Sequence, residues 1–332
     1  MNNKVKLLFV LPRFTFGGTV FSTLNMISLL DSNKYDISIL TMSHQGKVAK
    51  YYKGYNVLPE FLTLSLLHGD YRKEKGGRKI IGLMLRVIDY LCRIFNIELG
   101  DFLYKRYSKK IMKDNGVFDI VASCQEGAST YFASVIHAKK KIAWFRSEYS
   151  VYKNLISPKT LLKEQIIYGR FDNIVCVSQT TCNDFKTFFP EISERIIAIH
   201  NVQNTKDILE KSEEYITDVF EKNTFNIVSV GRFAPQKRFS HIPEIANSII
   251  NKGLKFKWYI IGDGNVGNEF QKTQEGIEHY NLSEVVICIG SRLNPYPYIK
   301  MANLLVSTSY YEACPRVIAE AKILHTPIVS AD

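Results

Sequence analysis

Two glutamates, Glu312 and Glu320, stand eight positions apart in SYYEACPRVIAEA (309–321), on either side of Pro315. Proline donates no hydrogen bond and its fixed φ suits a first helical turn. The segment therefore predicts a helix that starts at Cys314 or Pro315 and runs to about Leu324, with Glu312 in the loop before it. Free amides in that first turn and the positive end of the helix dipole attract a phosphate. At ~1.5 Å per residue Glu320 lies one to two turns further along. Two carboxylates so spaced could accept hydroxyl hydrogen bonds at separate places on one elongated ligand, with the phosphate between them. A sugar nucleotide has that layout: sugar hydroxyls, diphosphate, ribose hydroxyls. A helix-surface glutamate and a charge that merely stabilises the dipole explain the same residues, and both readings stay open at this point.

A second pair of functional groups lies upstream. In VGRFAPQK (230–237), Arg232 and Lys237 follow a strand-like run, and two cations five positions apart on a loop suit a diphosphate, one charge-assisted hydrogen bond to each phosphate. An exposed basic turn is the plainer reading. Gly262-Asp263-Gly264-Asn265-Val266-Gly267 spells GxGxxG after another strand-like run. A dinucleotide site would need an acidic residue ending the next strand, about twenty positions on. Here Glu284 precedes that strand, which ends in Gly290-Ser291-Arg292, so a tight strand-to-helix turn is expected instead. No Asp-x-Asp occurs anywhere, so no metal site of that kind is expected.

These groups need a scaffold. Apolar runs at 6–12, 35–42, 118–124, 140–145, 173–179 and 195–201 alternate with helix-length amphipathic stretches, and a second series follows at 225–232, 257–264, 285–290, 303–309 and 326–332. Uniformly apolar strands separated by helices indicate α/β layers with both sheet faces covered. Residues 202–224 are polar and read as a linker, with a boundary near 203. The expectation is two Rossmann-like, doubly wound domains, 1–203 and 204–332, facing a cleft into which the carboxyl ends of both sets of strands point.

The chain of 332 residues exceeds the ~250–300 at which one core stops growing, which agrees with two domains. It is 46% hydrophobic and 23% charged, an ordinary globular composition. Its net charge of +11 is uneven: residues 1–150 hold 23 Lys and Arg against 12 Asp and Glu, and 72–113 hold 12 against 4. Apolar runs such as Ile80-Ile81-Gly82-Leu83-Met84-Leu85 interleave with those cations, and a basic amphipathic surface can bind anionic lipid headgroups or nucleic acid, although no nucleic-acid motif accompanies it; a solvated lysine-rich face explains the same residues, and both readings stay open at this point. Six scattered cysteines without a CxxC pair read as reduced core residues. The short apolar run after Met1 ends at Pro12-Arg13, unlike a secretory signal, and no window of ~18 apolar residues could span a membrane. A cytoplasmic location follows as the expectation.

Together, Glu312-x7-Glu320, Gly231-Arg232-x4-Lys237, the IIGDG turn at 260–264 and Gly17-Gly18 after the first strand resemble the GT-B glycosyltransferases of family 4, the glycosyl transferases group 1. NPYPYIK (294–300) and DNIVCVSQ (172–179) are similar to runs in members that build bacterial capsules and other surface polysaccharides. The resemblance implies that Arg232 and Lys237 hold the donor diphosphate, Glu320 the ribose hydroxyls and Glu312 the sugar hydroxyls. Amides of Ala313, Cys314, Arg316 and Val317 would line sugar and phosphate, and Gly17-Gly18 would let backbone approach the reacting centre. Tyr296 or Tyr298 would stack on the base, and Glu126 and Arg146 would face the acceptor. It implies a metal-independent retaining hexosyltransferase that needs no cofactor. The donor would be a UDP- or GDP-linked sugar and the acceptor a lipid-linked saccharide at the inner membrane face. Arg146 stands where many relatives carry a histidine, Ala313-Cys314 replaces the usual Gly-Phe, and the chain stops at Asp332 where relatives continue, which reads as a truncated C-terminal end. A sugar-nucleotide epimerase of the same architecture, or a truncated non-catalytic donor-binding protein, are the alternatives.

Overall fold

The computed structural model describes residues 4–331 except 15–16, 47, 96, 217–219 and 222, and the chain divides into two compact units, 1–202 and 203–332. The first unit runs β1 (Val5–Arg13), α1 (Gly18–Ser28), β2 (Tyr35–Ser43), β3 (Asn56–Val57), α2 (Leu62–His68), α3 (Gly76–Ile94), α4 (Leu99–Asn115), β4 (Phe118–Ser123), α5 (Ala128–Val135), β5 (Ala138–Phe145), α6 (Tyr149–Tyr152), α7 (Pro158–Tyr168), β6 (Asn173–Cys176), α8 (Gln179–Phe188) and β7 (Ile196–Ala198). Its strands form one sheet in the order β3-β2-β1-β4-β5-β6-β7, with every neighbouring pair parallel.

The apolar runs read from the sequence exist because both faces of this sheet are buried. Along β1, Leu8 and Val10 join one core with Val121, Phe145 and Phe185, while Leu7, Phe9 and Leu11 join another beneath Val20 and Ile27 of α1. Helix starts are written locally: Ser157 accepts from Thr160 N ahead of Pro158 in α7, and Ser178 accepts from Thr181 N in α8. The two-residue β3 was not anticipated, because so short an edge strand leaves no apolar run.

The second unit runs α9 (Thr205–Ser212), β8 (Phe225–Val230), α10 (Ile242–Ile250), β9 (Phe256–Ile261), α11 (Glu269–His279), β10 (Val286–Gly290), α12 (Tyr296–Met301), β11 (Leu304–Ser307), α13 (Arg316–Ile323) and β12 (Ile328–Ser330). The sheet order is β10-β9-β8-β11-β12, again all parallel. One face packs Ile227, Trp258 and Ile260 against Ile242, Ala246 and Ile277; the other packs Val228, Ile261 and Leu305 against Ile208, Ile299 and Ala321. Both faces therefore carry a core, although Val329 on the edge strand β12 is 54% exposed.

Part of the polar stretch read as a linker is structure. Asn204 caps α9 by accepting from Asp207 N, and Ile208, beside the exposed Leu209 in an otherwise polar helix, is completely buried, a contribution of ~2 kcal/mol. One buried apolar residue in two turns is too weak a period to see in the sequence.

Candidate functional site

In each sheet the strand order reverses beside the first strand, at β1/β4 and at β8/β11, and in open α/β sheets ligands bind outside the carboxyl ends of strands at such a switch point. Both groups of chemically distinctive residues lie there.

In the second unit the loop after β8 and the loop after β11 are tied together. Thr308 Oγ1 donates to Lys237 O at 2.6 Å, Tyr310 N donates to Gln236 O at 2.8 Å, and Gln236 Nε2 donates to Tyr311 O at 2.8 Å. These bonds bring Lys237 and Glu312, 75 positions apart, into a half-buried ion pair, and Ser309 Oγ donates to the same Glu312 oxygen at 2.8 Å. Ser309, Gln236 and Thr308 carried no signal in the sequence, since hydroxyls and amides in loops are common and only their partners give them a role.

The helix foreseen at 314–324 is α13, with Pro315 as the residue before its first turn and no side chain capping it. Ala313, Cys314, Arg316 and Val317 are half-buried around that turn. Its uncapped amides and dipole form an anion-attracting end beside the Lys237–Glu312 pair. Glu320 does not lie on the solvent face: it is 5% exposed, accepts from Arg316 Nη2 at 2.7 Å, and keeps a second carboxylate oxygen for a hydroxyl donor. Arg232 is exposed on the same loop as Lys237.

The glycine-rich turn holds these loops in place. A Cβ on Gly262 would sit 1.7 Å from Gly231 O, so only glycine lets the two strand-end loops touch. Gly231 N donates to Ile261 O at 2.9 Å, Phe233 N to Asp263 O at 3.0 Å and Val266 N to Phe233 O at 3.0 Å. The motif ends in a 3-10 turn, Val266–Asn268, and does not open directly into α11, so the glycines serve loop packing.

Tyr296 and Tyr298 require a correction. They are 8% and 6% exposed in the core under α12, and Tyr298 Oη accepts from Arg292 Nε at 3.0 Å, so neither ring offers an open face on which a base could stack. NPYPY is an amphipathic helix start whose aromatic residues are spent on the core; burial pushes the Tyr296 hydroxyl far above its ordinary pKa.

In the first unit, Arg146 is pinned at the end of β5: its Nε donates to Cys124 O at 2.7 Å, its Nη1 to Asn201 Oδ1 at 2.6 Å, and it lies over the Trp144 ring at 5.0 Å. Glu126, after β4, accepts from Arg146 N at 3.1 Å and Ser147 Oγ at 2.5 Å. The two acceptor-side candidates are thus parts of one network, with Asn201 joining it while His200 is exposed. Gly17 and Gly18 open α1 after β1, and nothing lies within 4 Å of a Cβ built on Gly17, so no internal packing demands glycine there.

A third cluster went unseen in the sequence. Glu164 of α7 is fully buried and accepts from Tyr131, Tyr149 and Tyr152 hydroxyls at 2.7, 2.9 and 3.0 Å. Burial raises its pKa, against the pull of the three hydroxyls. Cys124, Cys176 and Cys182 are buried free thiols, while Cys92, Cys288 and Cys314 are half-buried. Among the described residues no group of three His, Cys, Asp or Glu side chains is placed to hold a metal ion.

Residues 212–332 match the family described as Glycosyl transferases group 1. The chain is similar to an uncharacterised glycosyltransferase of Methanocaldococcus jannaschii, 26% identical over 58% of this chain and 48% of that protein. It is similar also to the amylovoran biosynthesis glycosyltransferase AmsD of Erwinia amylovora, 26% identical over 50% of this chain and 44% of that protein. The matched stretch thus spans about half the length of these relatives. Among solved structures, HepE of Anabaena in complex with UDP and glucose superposes with a TM-score of 0.69 at 15% identity, covering 99% of this chain and 81% of that one. A glycosyltransferase of Rickettsia africae superposes at 0.64 with 17% identity, covering 99% and 79%. These likenesses concern the fold, two parallel α/β units of the GT-B type. Residues 212–332 thus match the glycosyl transferases of group 1, and the chain as a whole has a fold of the GT-B type.

Proposed function

We propose that this protein is a retaining glycosyltransferase that moves a hexose-type sugar from a UDP- or GDP-linked donor to a lipid-linked saccharide in surface-polysaccharide synthesis, working at an anionic membrane face. The observation that carries the reading is the convergence of Lys237, Glu312, the uncapped start of α13 and the buried Glu320 at the β8/β11 switch point. A similar protein of Staphylococcus aureus, 32% identical over 31% of this chain, is a poly(ribitol-phosphate) alpha-N-acetylglucosaminyltransferase, and one of Escherichia coli, 28% identical over 33%, uses a diphosphoundecaprenol-linked acceptor.

In this reading Lys237 leaves Glu312 for the donor diphosphate, and Glu312 is released to the sugar hydroxyls. Arg232 closes on the phosphates from solvent, and Glu320 takes the ribose. The bond from the anomeric carbon to the β-phosphate oxygen breaks, the acceptor oxygen bonds that carbon on the same face, and the acceptor proton passes to the departing phosphate. Lys237 and the α13 amides offset the charge that develops there without a metal, which is the oxyanion type of stabilisation. Glu126 and Arg146 are assigned to the acceptor.

Titration calorimetry of the two variants Lys237→Ala and Glu320→Ala against UDP, GDP and the bare nucleosides tests the assignment. Lys237→Ala should lower diphosphate affinity ~10-fold or more while sparing the nucleoside, in keeping with one charge-assisted bond. Glu320→Ala should weaken both. Equal losses in both ligands for Lys237→Ala would remove it from the phosphate role.

A further inference from the structure

Helix α3 is held to its unit by one narrow stripe. Gly82 and Asp89 are its buried residues, Leu85 and Cys92 are half-buried, and at 100° per residue all four fall on one side. A Cβ on Gly82 would meet Tyr71 Cβ at 2.5 Å, so the glycine seats the helix tightly on the turn before it. Arg78 is tied to the same side by Glu60 at 3.1 Å and Glu74 at 2.8 Å.

The opposite side is apolar and open. Ile80, Leu83, Met84, Val87, Leu91 and Ile94 are each between 48% and 62% exposed, and with the large apolar residues beside them they cover about half of the helix circumference. Buried neighbours normally claim such a face, and a patch of this kind marks an interaction site. Lys79, Arg86 and Arg93 recur every seven residues and line one edge of it. The only acidic residue in 76–95 is Asp89, which is buried and paired with Arg93 at 2.9 Å.

We infer that α3 is an in-plane membrane helix, whose apolar face enters the lipid at the headgroup–acyl boundary while Lys79, Arg86 and Arg93 meet anionic headgroups. This inference rests on the reading that the protein works at an anionic membrane face and specifies the surface that does so. Charge complementarity selects lipid over a second copy of the chain. Antiparallel pairing of two such faces would set each cation row against its like, and parallel pairing would oppose it to apolar side chains. Neighbouring α4 carries five further exposed cations, Lys105, Arg106, Lys109, Lys110 and Lys113. No helix among the described residues is long and apolar enough to cross a membrane, so α3 lies on the bilayer rather than through it.

The test is flotation of the full chain with vesicles of phosphatidylcholine alone or mixed with phosphatidylglycerol, at low and high salt, alongside sedimentation in free solution. The wild-type chain should float only with the anionic vesicles and less so in salt. Val87→Asp and Leu91→Asp, on exposed positions, should keep the fold and lose at least ~10-fold in binding. If the wild-type chain binds anionic vesicles and both variants bind equally well, the α3 assignment fails while the membrane reading stands. If it binds no vesicle, both fail, and the nucleotide titrations still judge the transferase reading alone. A dimer that Val87→Asp dissociates, without vesicle binding, would give the face to a second copy and overturn the inference.

Discussion

At the residue scale, the buried acid Glu164 shows how much a tertiary site can impose on one side chain. Three tyrosine hydroxyls converge on its carboxyl group inside a core rich in aromatic rings. Glu164→Ala leaves all three without that acceptor and should destabilise the protein by ~3 kcal/mol or more in urea unfolding. Glu164→Gln keeps a carbonyl acceptor and should cost less. The pH dependence has a definite sign. The folded pKa is raised by burial, so the folded state holds a proton that the unfolded state gives up first. The stability contributed is complete below the ordinary glutamate pKa and is lost as pH rises through the folded value. The gap between the wild-type chain and Glu164→Gln should therefore move in favour of the variant over that rise, and a pH-independent gap would assign Glu164 no such shift. None of this was legible in the sequence, because Tyr131, Tyr149, Tyr152 and Glu164 have no shared spacing. By contrast the placement of Arg232, Lys237 and Glu312 in loops after strands, and of Glu320 on the helix that follows, was legible in the sequence, because strand ends and a proline-marked helix start are written over a few neighbouring positions.

At the scale of elements, the junctions after β8, β9 and β11 form one block whose contact point is glycine on glycine. Gly262→Ala would force its Cβ into Gly231 O, a backbone atom that cannot rotate away. We expect a loss of ~3 kcal/mol in unfolding free energy, together with weaker UDP or GDP binding, since the loop bearing Lys237 must shift. Gly17→Ala meets open space and an extended backbone, so it should leave stability within about 0.5 kcal/mol, because it disturbs no packing. A Gly262→Ala protein as stable as the wild type would show that the loops give way more easily than their hydrogen bonds suggest. The strands of both sheets were readable as apolar runs for a simple reason: burial on both faces removes the polar alternation that would blur them. Helix α9 and the edge strand β3 were not, since one rests on a single buried isoleucine and the other on two residues.

For the whole molecule, the two units differ in character. The excess charge belongs to residues 1–150, along with the open apolar face of α3, while the cluster assigned to the donor belongs to the second unit. A nucleotide present at ~100 times its dissociation constant should add about 2.7 kcal/mol to stability. Thermal melts with UDP, GDP and NAD should accordingly shift with one of the first two and not with NAD. A shift with NAD alone would return the glycine-rich turn at 262–267 to a dinucleotide role.

The sequence by itself determined the two series of parallel strands, the start of α13 and the set of charged residues at the strand ends. Each of these is encoded over a few neighbouring positions by apolar burial, proline geometry or loop placement. Only the tertiary structure decided which groups meet: Lys237 with Glu312, Arg146 with Glu126 and Asn201, and Glu164 with its tyrosines. It also decided against an open face for Tyr296 and Tyr298, whose rings the core under α12 consumes, and in favour of an open one for α3. Contacts between distant positions depend on how elements pack in three dimensions, and no local pattern of residue types records that packing.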